Sequence, residues 1–222
     1  MNSKLKTLAA VAVLALSSTA VEAQTYAPVG VQNDVSYSDV INGGWSEIYR
    51  GDYGNVGVSV ASIFSGIAAG SQVMLAAIKD GSTTFDVLAA ASVEDVLQVT
   101  AIDQTHTANG ANWYFNGYSM GFAGLNDSIH QYTADVAGSG EFGYPTVERD
   151  RLSWHTSGTD ASNMVINGGW RSGSNIWLNS SADWSRVVLV AAPVPEPETY
   201  ALLLAGLGMV GTMARRRKQA KA

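Results

Sequence analysis

The sequence predicts an all-β fold, an antiparallel β-sandwich or jelly-roll-like single domain, and three observations predict it. Along the middle of the chain, apolar residues alternate with small or polar ones more often than they recur at helical spacing. Clusters of Gly, Asn, Ser and Asp, with 23 glycines in 222 residues, cut the chain into short segments. No sustained helical period links those segments, so the strands have each other, rather than crossover helices, to pack against. At 46% hydrophobic and 14% charged residues, the composition is that of a folded chain rather than a disordered one.

Residues 1–23 read as an export signal. Lys4 and Lys6 form the basic start, "LAAVAVLALSSTA" is the apolar run, and Val21-Glu22-Ala23 offers small residues for signal peptidase to cut between Ala23 and Gln24. That run is about half the roughly 20 residues a bilayer span needs. The core is then 24–192. Within it, "VGVSVASIF" sets Val56, Val58 and Val60 on one face of a strand. "QVMLAAIKDGSTTFDVLAAA" reads as a hairpin, with Asp80-Gly81 supplying a two-residue type I′ loop. "SVEDVLQVTAI" leaves two readings open: Ser92 caps a short helix with Asp95 three residues on, or Val93, Leu97 and Val99 line a strand. "ANWYFNGYSMGFA", "DRLSWHTSG" and "DWSRVVLVAA" read as further strands. The hexapeptide "VINGGW" occurs at 40–45 and again at 165–170, but the residues after it do not align, which argues against a duplicated domain. Asn-Gly-Gly is turn chemistry, with the Trp starting a strand; the functional alternative sets the two loops side by side as one recognition surface.

Charge narrows the partners. Between Gln24 and Val194 there are six Arg and Lys against 16 Asp and Glu, a net charge of −10. Nucleic acid and anionic lipid surfaces both require clustered cations and are excluded on that ground. No cysteine is present, so no disulfide framework holds the fold. "GYSMG" fits the pattern of a serine nucleophile elbow at Ser119, with Asp135 and His155 following in hydrolase order. The elbow needs a strand feeding a helix, whereas aromatics alternate on both sides of Ser119 as in a strand. His106, His130 and His155 stand far apart and lack the spacing of zinc ligands. Asn126, Asp127 and Asp150 are candidate calcium donors, and Glu47 or Glu141 candidate glycosidase carboxylates, only if folding brings partners to them. No cofactor is implied. Of the tryptophans, most are expected in the core; Trp45, Trp113, Trp170 and Trp177 are the candidate platform for stacking on sugar rings.

The C-terminal part has its own order. A proline-rich spacer at 193–198 prefers extended polyproline II. An uncharged apolar run at 199–214 reads as a single transmembrane helix, marginal at 16 residues and loosened by Gly206, Gly208 and Gly211. The basic tail at 215–222 sets the C-terminus in the cytoplasm and the core outside. Val194, Pro195, Glu196, Pro197 and Thr199, the apolar span, then Arg215, Arg216, Arg217 and Lys218 closely resemble the PEP-CTERM sorting signal of Gram-negative bacteria. The resemblance implies recognition by exosortase, a membrane enzyme thought to process the tail, in species that commonly make exopolysaccharide, with the precursor held only transiently in the inner membrane. The core is also similar to a group of PEP-CTERM proteins bearing "RLSWHT" and "GGWRSGSNIWLNSSADWSRVV", which brings no established activity. The expectation is an exported, non-catalytic protein of the cell surface or extracellular matrix, associated with exopolysaccharide and biofilm. The alternatives are a carbohydrate-binding module and a serine or glycoside hydrolase.

Overall fold

The computed structural model describes residues 24–55, 57–102, 104–127, 148–157, 164–191 and 206–207. The expected signal peptide, the spacer, the basic tail and all but two residues of the expected transmembrane helix lie outside the described residues. Among the described residues, no helix is long and apolar enough to cross a membrane.

Two antiparallel sheets make a β-sandwich. The first joins β1 (Gln32–Ser36), β5 (Thr84–Ser92), β4 (Gln72–Lys79), β11 (Trp184–Ala191) and β2 (Ser46–Asp52), in that spatial order. The second joins β3 (Val58–Ser59), β10 (Val165–Ser172), β9 (Arg151–Ser157), β8 (Ser119–Gly124), β7 (Ala111–Phe115) and β6 (His106–Ala108). Period-two alternation decides what lies between them. Val73, Leu75 and Ala77 of β4 and Val87, Ala89 and Ala91 of β5 face Trp113, Met120, Phe122, Leu152 and Trp154 of the second sheet. The other face of β4 and β5, with Met74, Ala76, Ile78, Phe85 and Leu88, is also buried. It is covered by α1 (Tyr37–Asn42) through Val40 and by Trp45, with Tyr26 packed alongside. That double burial explains why β4 and β5 read as near-continuous apolar runs. Each large side chain so buried contributes about 1.5–3 kcal/mol.

Several local expectations are corrected. The β4–β5 hairpin forms, but its loop is Asp80–Thr83, with the Ser82 N–H donating to the Lys79 carbonyl at 2.9 Å. Gly81 has φ +77° while Asp80 has no positive φ; a type I′ turn needs both. "VGVSVASIF" is a strand only at Val58–Ser59. It then turns into α2 (Val60–Ile63), because Val60, Ile63 and Phe64 bury at helical rather than alternating spacing; Val56 lies outside the described residues. In "SVEDVLQVTAI" the cap wins: Ser92 Oγ accepts the Asp95 N–H at 3.1 Å and starts α3 (Val93–Val96). "ANWYFNGYSMGFA" is a hairpin rather than one strand. Asn116 Oδ1 accepts the N–H groups of Tyr118 and Ser119 and closes the turn between β7 and β8. The two "VINGGW" segments are not paired loops. The first ends α1 and turns at Gly43-Gly44, whereas the second lies wholly inside β10, in the other sheet.

Candidate functional site

Because Met120, Phe122, Leu152 and Trp154 face the core, the residues between them face the outer side of the second sheet. Ser119 of β8 and His155 of β9 are register partners there. The His155 ring lies 4.7 Å from that of Trp170 at 34°, and Trp170 lies 4.7 Å from Trp177 at 55°. This row runs from the buried Ser119 to Trp177, whose residue is 54% exposed. Trp177 also has φ +65°, immediately before a 3-10 turn at Leu178–Ser180. A bulky residue in the left-handed region costs about 1–3 kcal/mol and persists where surrounding structure holds it. The Trp170 indole nitrogen is buried without a hydrogen-bond partner.

The other two platform candidates are corrected. Trp45 is 2% exposed, its indole N–H donating to the Tyr26 carbonyl at 2.8 Å. Trp113 is 1% exposed, donates to the Ala108 carbonyl at 3.1 Å and meets Phe122 edge-on. Both rings are packed into apolar clusters rather than presented as an exposed stacking platform. Trp154 is likewise core.

The elbow reading meets a different context. Ser119 begins β8, which runs on to Gly124, and no helix follows it. Among the described residues no hydrogen bond joins its hydroxyl to His155, and Asp135 lies outside them. The calcium reading fails at Asp127. Both of its carboxylate oxygens are taken by the buried guanidinium of Arg151, one of them by Nη2 at 2.7 Å. Asp150 accepts from Asn33 Nδ2 at 2.9 Å, and Asn126 sits in the exposed turn after β8. Among the described residues no group of three or more His, Asp or Glu side chains is placed to hold a metal ion. Glu47 is engaged by Arg50 at 2.8 and 2.7 Å and by the Tyr37 hydroxyl; Glu141 and His130 lie outside the described residues. His106 sits on β6 with Nε2 3.8 Å from Asp95 Oδ1.

Two features were not read from the sequence. Arg151, Arg171 and Arg186 are fully buried. Arg186 donates from Nη2 to the Asp52 and Asn55 carbonyls at 2.9 Å, while its Nε and Nη1 have no partner; burial pulls its pKa below the ordinary arginine value. The signal was present, since Arg186 interrupts the apolar run "DWSRVVLVAA". The second feature is a cleft of about 550 Å³ at the end of the first sheet, lined by Ile41, Gly44, Trp45, Ser46, Ser71, Val190 and Ala191. It gathers the ends of α1 and β11, the start of β2 and the residue just before β4, which no local pattern joins.

A family model for the PEP-CTERM protein-sorting motif matches residues 193–218, so the chain carries that motif two residues after β11 ends. The motif marks an exported protein whose membrane-anchored precursor is processed by exosortase. No curated protein and no solved structure matches the chain.

Proposed function

We propose that this is a surface or extracellular-matrix protein of a Gram-negative cell: signal peptidase removes residues 1–23, exosortase processes the tail, and the acidic β-sandwich works without catalysis in association with exopolysaccharide. The sorting motif at residues 193–218 carries this reading. The engagement of Asp127 and Glu47 in ion pairs, and the strand context of Ser119, support a non-catalytic core. Mass spectrometry of the exported species tests it. The mature protein should begin at Gln24 and lack Arg215, Arg216, Arg217 and Lys218, and replacing Pro195, Glu196 and Pro197 by alanine should leave uncut precursor in the inner membrane. A released protein ending at Ala222 in cells that carry exosortase would sink it. Covalent labelling of Ser119 by a fluorophosphonate would overturn the non-catalytic part.

One observation favours a carbohydrate-binding role for the core. Trp177 is exposed, held in a strained backbone and packed at a tilt against Trp170, an arrangement that keeps its ring presented to a flat ligand face. A net charge of −10 favours neutral or amine-bearing polysaccharides over acidic ones. Retention on immobilised neutral polysaccharide, lost on Trp177→Ala, is the expected result; equal retention of parent and variant would end this reading.

A further inference from the structure

The cleft at the end of the first sheet lies where the chain leaves the sandwich. Ala191 is both the last residue of β11 and part of the cleft wall. Four residues further on stands Pro195, and a fully extended chain of that length reaches at most about 14 Å. A folded core of about 170 residues is roughly 40 Å across. The Pro-Glu-Pro triplet therefore begins within about 14 Å of Ala191, at the pole that holds the cleft, so whatever grips it works close to that pole.

The other end of the chain converges on the same pole. The N–H groups of Thr25 and Tyr26 donate to the Gly43 carbonyl at 3.0 and 3.2 Å. A Cβ on Gly44, another wall residue, would stand 3.1 Å from Gln24 Cα. Both segments expected to meet the membrane thus depart from one end of the sandwich. None of the residues lining the cleft is charged, and the core that carries it has a net charge of −10 between Gln24 and Val194. Glu94 accepts the Gly70 N–H next to Ser71, while Glu47, which follows Ser46, is paired with Arg50. A core of that charge is repelled by anionic lipid, which leaves a protein surface as the favoured contact.

We infer that this cleft is a docking surface for the water-exposed face of the membrane enzyme that processes the tail, so that the enzyme reads the folded domain's end together with the motif. The inference rests on the sorting reading. The short tether makes the contact nearly intramolecular, and it is lost when the linker is lengthened.

Position 46 gives the test, because Ser46 is exposed at the mouth of the cleft and starts an edge strand. In exosortase-carrying cells, Ser46→Trp in the full-length precursor should slow tail processing by about tenfold, a change of about 1.4 kcal/mol in contact energy. Inserting about ten Gly and Ser residues after Ala192, a tether that spans roughly 17 Å more on average, should make the parent and Ser46→Trp chains process alike. A photo-crosslinking amino acid at position 46 should give an adduct with the processing enzyme. Normal processing of Ser46→Trp, the same defect in the lengthened chain, or adducts only with lipid or with the chain's own tail would each overturn the docking surface. Replacing Pro195, Glu196 and Pro197 by alanine separates the two readings, since cleavage that continues in that variant defeats the sorting reading instead.

Discussion

The two "VINGGW" segments share six residues and almost nothing else. In the first, Val40 to Asn42 complete α1, Gly43 follows with φ −81° and Gly44 turns the chain with φ +94°. Trp45 then drops into an apolar cluster and satisfies its N–H on Tyr26. In the second, the same residues lie in β10, with Gly168 at φ +102° and register shifts on either side of Gly169. Trp170 is turned outward onto His155 and Trp177. Asn-Gly-Gly permits both paths because two residues without Cβ accept backbone conformations that others resist. The choice comes from outside the hexapeptide. The Thr25-Tyr26 backbone pairs with Gly43 in one case, and β9 and the Tyr53 carbonyl pair with the strand in the other.

The largest expected effect separates the two tryptophans. Trp45→Ala removes a buried, hydrogen-bonded ring and should cost about 3–5 kcal/mol in urea unfolding of the exported protein. Trp170→Ala removes a half-buried ring whose N–H has no partner and should cost roughly half as much or less. Equal losses would mean that the second ring is as structural as the first.

The glycines come next. A Cβ on Gly169 would fall 1.9 Å from Cδ1 of the fully buried Tyr53, which itself receives the Trp154 N–H. Gly169→Ala should therefore destabilise by about 2–3 kcal/mol, the cost of overpacking a ring that has nowhere to go. At Gly43 a Cβ would meet Cβ of Tyr26 at 2.3 Å and the Asp39 carbonyl oxygen of α1 at 2.8 Å, both looser than the approach at Gly169, so Gly43→Ala should cost about 1 kcal/mol less than Gly169→Ala in the same assay. A reversed order would place the tighter constraint in the helical copy.

These contrasts mark how far the sequence is legible. Short β-rich runs in β4, β7 and β11 and turn residues between them suffice for an antiparallel sandwich, because each pattern is local. The Ser92 cap was visible for the same reason. What local pattern does not carry is the outer cover. Nothing in Val73–Ile78 says that α1 and Trp45 will lie on one face and the second sheet on the other. Half of the proposed platform was misread for that reason, since exposure of a tryptophan is a property of its neighbours. The sorting motif was legible whole, because its parts are consecutive in the chain.

A smaller effect concerns Trp177. Asn tolerates the left-handed region better than Trp, so Trp177→Asn should leave stability within about 0.5 kcal/mol of the parent while abolishing retention on polysaccharide. A loss of stability equal to that of Trp45→Ala would make Trp177 a packing residue and its exposure incidental.

The smallest expected effect is a pH dependence belonging to the second copy alone. At the end of β10, Ser172 Oγ donates to Asp86 Oδ2, and Gly173 packs so closely that a Cβ there would lie 3.0 Å from the same oxygen. Burial raises the Asp86 pKa above its ordinary value, and Asp34 adds to the rise. Hydrogen bonds from Ser172 and Asn175 and the charge of Arg149 oppose it. In the first copy Asp39 is exposed, with no such burial. A raised pKa means that the folded chain holds the Asp86 proton at a pH where the unfolded chain has released it. The ionised carboxylate thus subtracts from stability above its folded pKa, and that penalty fades as pH falls towards the ordinary aspartate value. Asp86→Asn, which keeps an oxygen for Ser172, should accordingly gain stability over the parent near neutral pH, with the gain shrinking as the solution is acidified. Paired urea titrations across that range decide it. A gain that grows with acid would show that the carboxylate is stabilised in the fold by Arg149 and Ser172, and would reverse the assignment of burial as the dominant cause.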